Sequence, residues 1–185
     1  MITSELNGIH LNFNTLPALF SPTAVDAGTK AMLSCVQFSK GDKVLDLGCG
    51  YGFVGIYAAK LLGAENVTMT DIDPAAIVQA GDNACLNDLP DIHIVQSDGF
   101  RNIEDTGYTL ILSNPPYHTD FSVAKHFIEK GFNRLAIGGK MLFVTKRKEW
   151  YKNKFISIFG GVSIKEIDGY FVFIAEKRSA GYAKK

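Results

Sequence analysis

The stretch Lys43-Val44-Leu45-Asp46-Leu47 runs straight into Gly48-Cys49-Gly50-Tyr51-Gly52 and then into Phe53–Leu62. An apolar run, a glycine cluster and a helical apolar repeat, in that order, predict a strand, a tight loop and a packed helix. Glycines let such a loop turn sharply and let its backbone approach a ligand. In an open α/β sheet, loops of this kind lie at the carboxyl ends of strands, where ligands bind. Position 53 is Phe, so the spacing is Gly-x-Gly-x-Gly rather than the Gly-x-Gly-x-x-Gly of a dinucleotide site. Taken alone, the loop is equally a structural turn, and the residues around it must decide.

The chain continues in the same alternation. Asn66–Thr70 reads as a second strand, and Asp73-Pro74 as the cap and first turn of a helix reaching about Asn87. Ile92–Gln96, Thr109–Ser113 and Lys140–Thr145 read as further strands, with a helix over Ser122–Leu135 before the last. Upstream, Ser21 and Pro22 predict the cap and first turn of a helix to about Val36. Strands and helices in alternation build a parallel sheet covered on both faces. The alternation ends at Ser163–Ile167 and Tyr170–Ala175, which flank Asp168-Gly169, the two-residue signature of a type I′ hairpin. An antiparallel hairpin therefore closes the sheet.

Composition narrows the class. With 185 residues, 46% of them apolar, and no repeat or low-complexity linker, one domain over residues 1–185 is expected. Residues 1–40 would form an N-terminal segment and residues 43–176 the core. Lys plus Arg and Asp plus Glu both number 19, so any nucleic-acid footprint must be a local patch. Cys35, Cys49 and Cys85 match neither a disulfide framework nor a zinc site, and no metal is expected. The first residues lack the basic start and apolar run of a secretory signal, and no stretch reaches the roughly 20 apolar residues of a membrane span. A reducing cytosol is the expected setting.

Three acidic residues stand at the ends of successive strands: Asp46, Asp71 and Asp98. Asp71, with Ile72 behind it, stands where a carboxylate accepts the hydroxyls of a ribose. Asp98, in Ser97-Asp98-Gly99-Phe100, stands where an acceptor can take an adenine amino group while Phe100 covers the ring. One such Asp is as consistent with a solvated loop; three at successive strand ends are harder to assign to chance.

The fourth motif, Asn114-Pro115-Pro116-Tyr117, directly follows the strand ending at Ser113. An amide or exocyclic amino nitrogen is a poor nucleophile because its lone pair is delocalised. The Asn114 side-chain oxygen and the Pro115 carbonyl can accept its two N–H bonds, localising that lone pair as the nitrogen becomes tetrahedral. The two prolines fix the backbone beforehand. Tyr117 offers an aromatic face to a planar acceptor such as a base rotated out of its stack.

On these motifs the chain resembles class I S-adenosylmethionine-dependent methyltransferases, Rossmann-like α/β proteins whose seven-stranded, mostly parallel sheet ends in a reversed hairpin. The resemblance covers about Val44 to Glu176. It implies S-adenosylmethionine as cofactor. Asp46, Gly48, Cys49, Gly50 and Gly52 would lie at its methionine end, Asp71 and Ile72 at the ribose, and Asp98, Gly99 and Phe100 at the adenine, with Asn114 at the reacting centre. Within this fold, the chain is similar to small-domain enzymes that include the small-subunit rRNA guanine-N2 methyltransferases. Phe20-Ser21, Asp26 and Gly28-Thr29 resemble the segment that packs over their cofactor. Asn114-Pro115-Pro116-Tyr117-His118 resembles their Asn-Pro-Pro-Phe-His variant, and Gly169-Tyr170-Phe171 their final hairpin.

The resemblance implies N-methylation of a nucleobase, guanine N2 in ribosomal RNA first, with rRNA or the ribosomal subunit as partner. Tyr at position 117 is also common in enzymes acting on adenine N6 or on protein glutamine, and a non-catalytic cofactor-binding module is a further alternative. A glutamine enzyme is expected to bring a separate domain for its protein substrate, and only about 40 residues precede the strand at Lys43. Bacterial guanine-N2 enzymes commonly carry an extra N-terminal domain that this sequence does not show. Tyr117, His118, Lys146 and Lys148 are the candidate substrate contacts, the last two within a basic segment that includes Arg147, Lys152 and Lys154 around Trp150 and Tyr151. A solvated helix start with Trp150 against the core accounts for that segment equally well.

Overall fold

A computed structural model describes residues 1–15, 24–116 and 120–183. The chain opens with a hairpin, β1 (Ile2–Leu6) and β2 (Ile9–Phe13), turned by Asn7 and Gly8, whose φ angles are 52° and 79°. This Asn-Gly turn is a sequence signal of the same kind as Asp168-Gly169. The hairpin precedes the first strand that the sequence pattern predicts, at Lys43. Helix α1 spans Ala27–Leu33. Its cap is Asp26, at φ −56° and ψ 135°, whose carboxylate accepts from the Thr29 amide at 2.8 Å. The extended backbone at Asp26 stops the helix there, so it does not run unbroken from Ser21; Ser21 and Pro22 lie outside the described residues.

The alternating core follows as β3 (Val44–Leu47), α2 (Phe53–Leu62), β4 (Val67–Asp71), α3 (Pro74–Leu86), β5 (His93–Gln96), β6 (Tyr108–Ser113), α4 (Phe121–Arg134), β7 (Leu135–Thr145), α5 (Glu149–Phe159), β8 (Ser163–Ile167) and β9 (Tyr170–Glu176). These last seven strands form one sheet in the order β5-β4-β3-β6-β7-β9-β8. The pairs from β5 through β7 are parallel, whereas β7–β9 and β8–β9 are antiparallel. Asp168 and Gly169, at φ 50° and 77°, make the expected hairpin turn, with Ile167 paired to Tyr170. Every residue of β3 is buried, as both faces of a parallel sheet require.

Two apolar layers hold the helices to the sheet. One gathers Phe13, Met32, Ile56 and Met69; the other gathers Phe132, Phe143, Phe155 and Phe173. Strand β7 begins five residues earlier than the sequence pattern suggests, because its pairing with β6 shifts register between Tyr108 and Leu110. Gly138 takes φ 85° there, and a Cβ at Gly139 would stand 2.8 Å from the Tyr108 carbonyl oxygen. Glycines make that irregularity possible.

The strand order reverses between β3 and β6: the chain first builds outward through β4 and β5, then returns to add β6 on the other side. Such a reversal opens a crevice above the carboxyl ends of the two strands. Asp46 and the glycine loop end one of them, and Asn114 follows the other.

Candidate active site

A cavity of about 450 Å³ occupies this crevice. Gly48, Cys49 and Gly50 of the glycine loop, Asp46, Asp71, Ile72, Asp98, Gly99, Asn114, Pro115 and Pro116 all line it, as do Asp26 and Thr29 from the start of α1, whereas Gly52 faces Ile56 and Ala80 instead. Residues from five separate regions of the sequence thus meet in one place.

The loop is held by backbone contacts. The amides of Gly48 and Cys49 both donate to the Thr70 carbonyl, at 2.8 and 2.9 Å, which ties the end of β3 to the end of β4. Gly48, Gly50 and Gly52 have φ of 78°, 55° and 94°, values that strongly favour glycine. The Gly50 amide donates to Asp71 Oδ2 at 2.9 Å, and the Asp73 amide to Asp71 Oδ1 at 3.0 Å. Asp71 therefore has a structural task that the sequence did not reveal. It clamps the loop while its oxygens keep further acceptor capacity for a ligand.

Asp46 is 2% exposed, and its Oδ2 accepts from the Gly55 amide, in the first turn of α2, at 2.8 Å. Burial pushes its pKa up to about 7; the Gly55 bond works against this and the nearby Asp71 charge adds to it. The Cys49 thiol is also pushed up, mainly by burial. Helix α2 has no side-chain cap at Gly52, so Asp46 supplies an acceptor to its first turn from the preceding strand.

On the β5 side, Asp98 is half exposed and pairs with Arg101 at 3.2 Å. Gly99 takes φ 60°, and a Cβ there would stand 2.6 Å from the His126 ring. The Phe100 side chain differs from its expected placement. It is 4% exposed and packs in the core with Phe127 and Ile128 rather than over the cavity. The apolar lining comes instead from Ile72, Val123 and Phe127.

At the end of β6, the Ser113 hydroxyl donates to the Leu47 carbonyl at 2.7 Å and joins the two central strands. The Asn114 Nδ2 donates to Asp26 Oδ2 at 2.8 Å and to Thr29 Oγ1 at 3.1 Å. Its Oδ1 is buried and has no hydrogen-bond partner among the described residues. A buried acceptor without a partner is costly, and a ligand donor would satisfy it. Tyr117 and His118 lie outside the described residues.

The basic segment divides. Lys146, Arg147 and Lys148 are exposed just beyond β7, and their charged ends lie 5.0, 5.1 and 5.3 Å from the rings of Tyr170, Phe121 and Phe171. They stand at the same edge of the sheet as Asn114 but do not line the cavity. Lys154 pairs with Glu129, Trp150 stacks on Phe121 at 4.3 Å, and Tyr151 is buried. Those three side chains therefore belong to the packing of α4 and α5.

A family model described as methyltransferase small domain matches residues 10–175. Ribosomal RNA small subunit methyltransferase C of Haemophilus ducreyi is 37% identical over 154 residues, covering 79% of this chain and 46% of that protein. Uncharacterized protein YbxB of Bacillus subtilis is 28% identical over 179 residues, covering 94% of this chain and 89% of that protein. Among solved structures, the T. thermophilus 16S rRNA N2 G1207 methyltransferase RsmC, in complex with AdoMet and guanosine, superposes with a TM-score of 0.86. It is 26% identical, and the match covers 95% of this chain and 50% of that one. The chain spans about half the length of the rRNA methyltransferases it matches. Its glycine loop, strand order and Asn114 motif fall within the matched region, and the chain belongs to the methyltransferase small domain family.

Proposed function

We propose that the chain is an S-adenosylmethionine-dependent N-methyltransferase acting on an exocyclic amino group of a nucleobase, guanine N2 in ribosomal RNA. The observation that carries this reading is the Asn114 Oδ1, a buried acceptor at the wall of the cavity with no hydrogen-bond partner among the described residues. An amino nitrogen that bonds there has its N–H direction set, and the contact strengthens as positive charge develops on the nitrogen. The Pro115 carbonyl is the second acceptor, on a backbone stiffened by Pro115 and Pro116.

The cavity suits the cofactor. Asp46 would hold the ammonium of the methionine end, Asp71 the ribose hydroxyls, and Ile72, Asp98 and Gly99 the adenine. The glycine loop leaves space for close backbone approach. S-adenosylmethionine supplies an electrophilic methyl group when bound. The protein orients the acceptor nitrogen and excludes water around it; no nucleophilic side chain is required.

Residues 43–176 would form the catalytic core, with residues 1–40 packed over its cofactor side. In support, Asp26 and Thr29 line the cavity, and Asn83 of α3 and Asn87 at its C-terminal cap bond the backbone of Asn14, just after β2, and of Asn12, within it. Lys146 and Lys148 are exposed beside the cavity and suit phosphate; Tyr117 and His118 would meet the base. Among the described residues no helix is long and apolar enough to cross a membrane. The proposal sets the reaction in the cytosol, where ribosomal RNA is found.

Incubation with radiolabelled cofactor and, separately, rRNA, small subunits, tRNA, DNA and release-factor protein tests the reading. Label should enter rRNA or the subunit, and nucleoside mass analysis should place it on guanine N2. Label in protein alone would refute the RNA acceptor.

A further inference from the structure

An asparagine amide has two faces of nearly the same shape, one a donor and one an acceptor. Only neighbours decide which face points where. At Asn114 the deciding neighbour is 88 residues away: Asp26 Oδ2 receives the Asn114 Nδ2 at 2.8 Å, and Thr29 Oγ1 receives it at 3.1 Å. An ionised carboxylate only accepts, so it cannot tolerate the amide oxygen in place of the nitrogen. The result is that Oδ1 is turned away from Asp26 and has no partner among the described residues.

The surroundings fix Asp26 in turn. Its Oδ2 also accepts from the Thr29 amide at 2.8 Å, which anchors the carboxylate to the first turn of α1. Gly28 brings the Tyr170 ring close: a Cβ at that position would stand 2.7 Å from the ring and 2.9 Å from Asp26 Oδ2. Any larger residue at 28 would displace one or both. Asp26 and Thr29 thus line the cavity in a fixed arrangement at its wall.

We propose that Asp26 is a positioning residue which, through Asn114 Nδ2, holds the Asn114 oxygen toward the acceptor amine and increases its strength as an acceptor. A charged partner on the nitrogen polarises the amide, and hydrogen bonds in series strengthen one another. The proposal rests on the methyltransferase reading for its kinetic consequence, but the orientation itself is a property of the folded chain.

Two substitutions separate this role from helix capping. Ser and Asn are both good caps, so Asp26→Ser and Asp26→Asn should preserve α1 and the melting temperature. Both remove the charge, and Asp26→Asn also supplies an N–H that can donate to the Asn114 oxygen in the reversed orientation. On the acceptor identified by labelling, both should lower kcat on the order of tenfold to hundredfold, with cofactor Kd within about threefold. In an Asn114→Ala background, Asp26→Asn should cause no further loss, since the group it positions is gone. Parent-level kcat in both single variants, or an equal loss in the Asn114→Ala background, would overturn the proposal.

An NMR readout stands apart from activity. The Asn114 side-chain amide protons should be shifted and slow to exchange in the parent, and both features should be lost in Asp26→Ser. Unchanged Asn114 resonances would overturn the orientation. Absence of methylation on every acceptor in the parent would refute the functional reading, while the resonances would still decide the role of Asp26.

Discussion

Asp46 lies one residue before the end of a fully buried strand and lines the cavity, with its pKa raised to about 7. If it holds the ammonium of S-adenosylmethionine, it must be ionised in the complex, so binding expels the proton that the free protein carries. At pH 5.5 almost all of the free protein is protonated at this site, and at pH 7 about half is. Cofactor binding should release about one proton at pH 5.5 and about half a proton at pH 7. The affinity should rise about fifteenfold over that interval, or ~1.6 kcal/mol, below the range where the ligand's own amino group titrates. Calorimetry in two buffers of different ionisation enthalpy measures the proton count directly. Asp46→Asn should weaken binding and remove both the proton release and the pH slope. Buffer-independent heats in the parent at pH 5.5 would refute the assignment. The same group ties stability to pH. Its folded pKa lies above the unfolded 3.8, so the folded state binds more protons between about pH 4 and 7. Its contribution is greatest below pH 4 and is lost as pH rises to 7, on the order of 4 kcal/mol, a slope that Asp46→Asn should lack.

Asn114→Ala should lower turnover by about a hundredfold or more while cofactor affinity measured by calorimetry changes little, because its oxygen acts on the acceptor. Asp71→Ala should weaken the cofactor roughly tenfold to hundredfold, about 1.5 to 3 kcal/mol, in titration calorimetry. Asp71→Asn retains an acceptor for the Gly50 amide and should lose less, which separates the ribose contact from the loop clamp. Replacing Lys146 and Lys148 together with Ala should raise the KM for RNA and flatten its dependence on salt, with cofactor binding unchanged in the same preparations.

The elements that the sequence shows most clearly are those governed by neighbours within a few residues. Phe53–Leu62 is helical over its predicted span, Asp73 caps α3 ahead of Pro74, and Asp168-Gly169 turns the final hairpin, since periodicity, capping and positive φ are local properties. The same rule would have found β1 and β2 from Asn7-Gly8. The acids at successive strand ends were legible because a parallel sheet presents all its carboxyl ends on one side.

Tertiary structure decided what those residues meet. Phe100 follows Gly99 in the sequence yet packs into the core beneath α4, because the backbone at Gly99 turns at φ 60° against His126. The basic run looks continuous in one dimension, but α5 turns Lys154 onto Glu129 and Tyr151 into the core, while Lys146 and Lys148 stay at the edge of the sheet. The sequence shows that Asn114 carries an amide; that its nitrogen faces Asp26, and its oxygen no partner among the described residues, follows from bringing the start of α1 against the end of β6. Spacing along the chain encodes turns and faces. Contacts across 88 residues are set by strand order and by the packing of whole elements, which no local pattern contains.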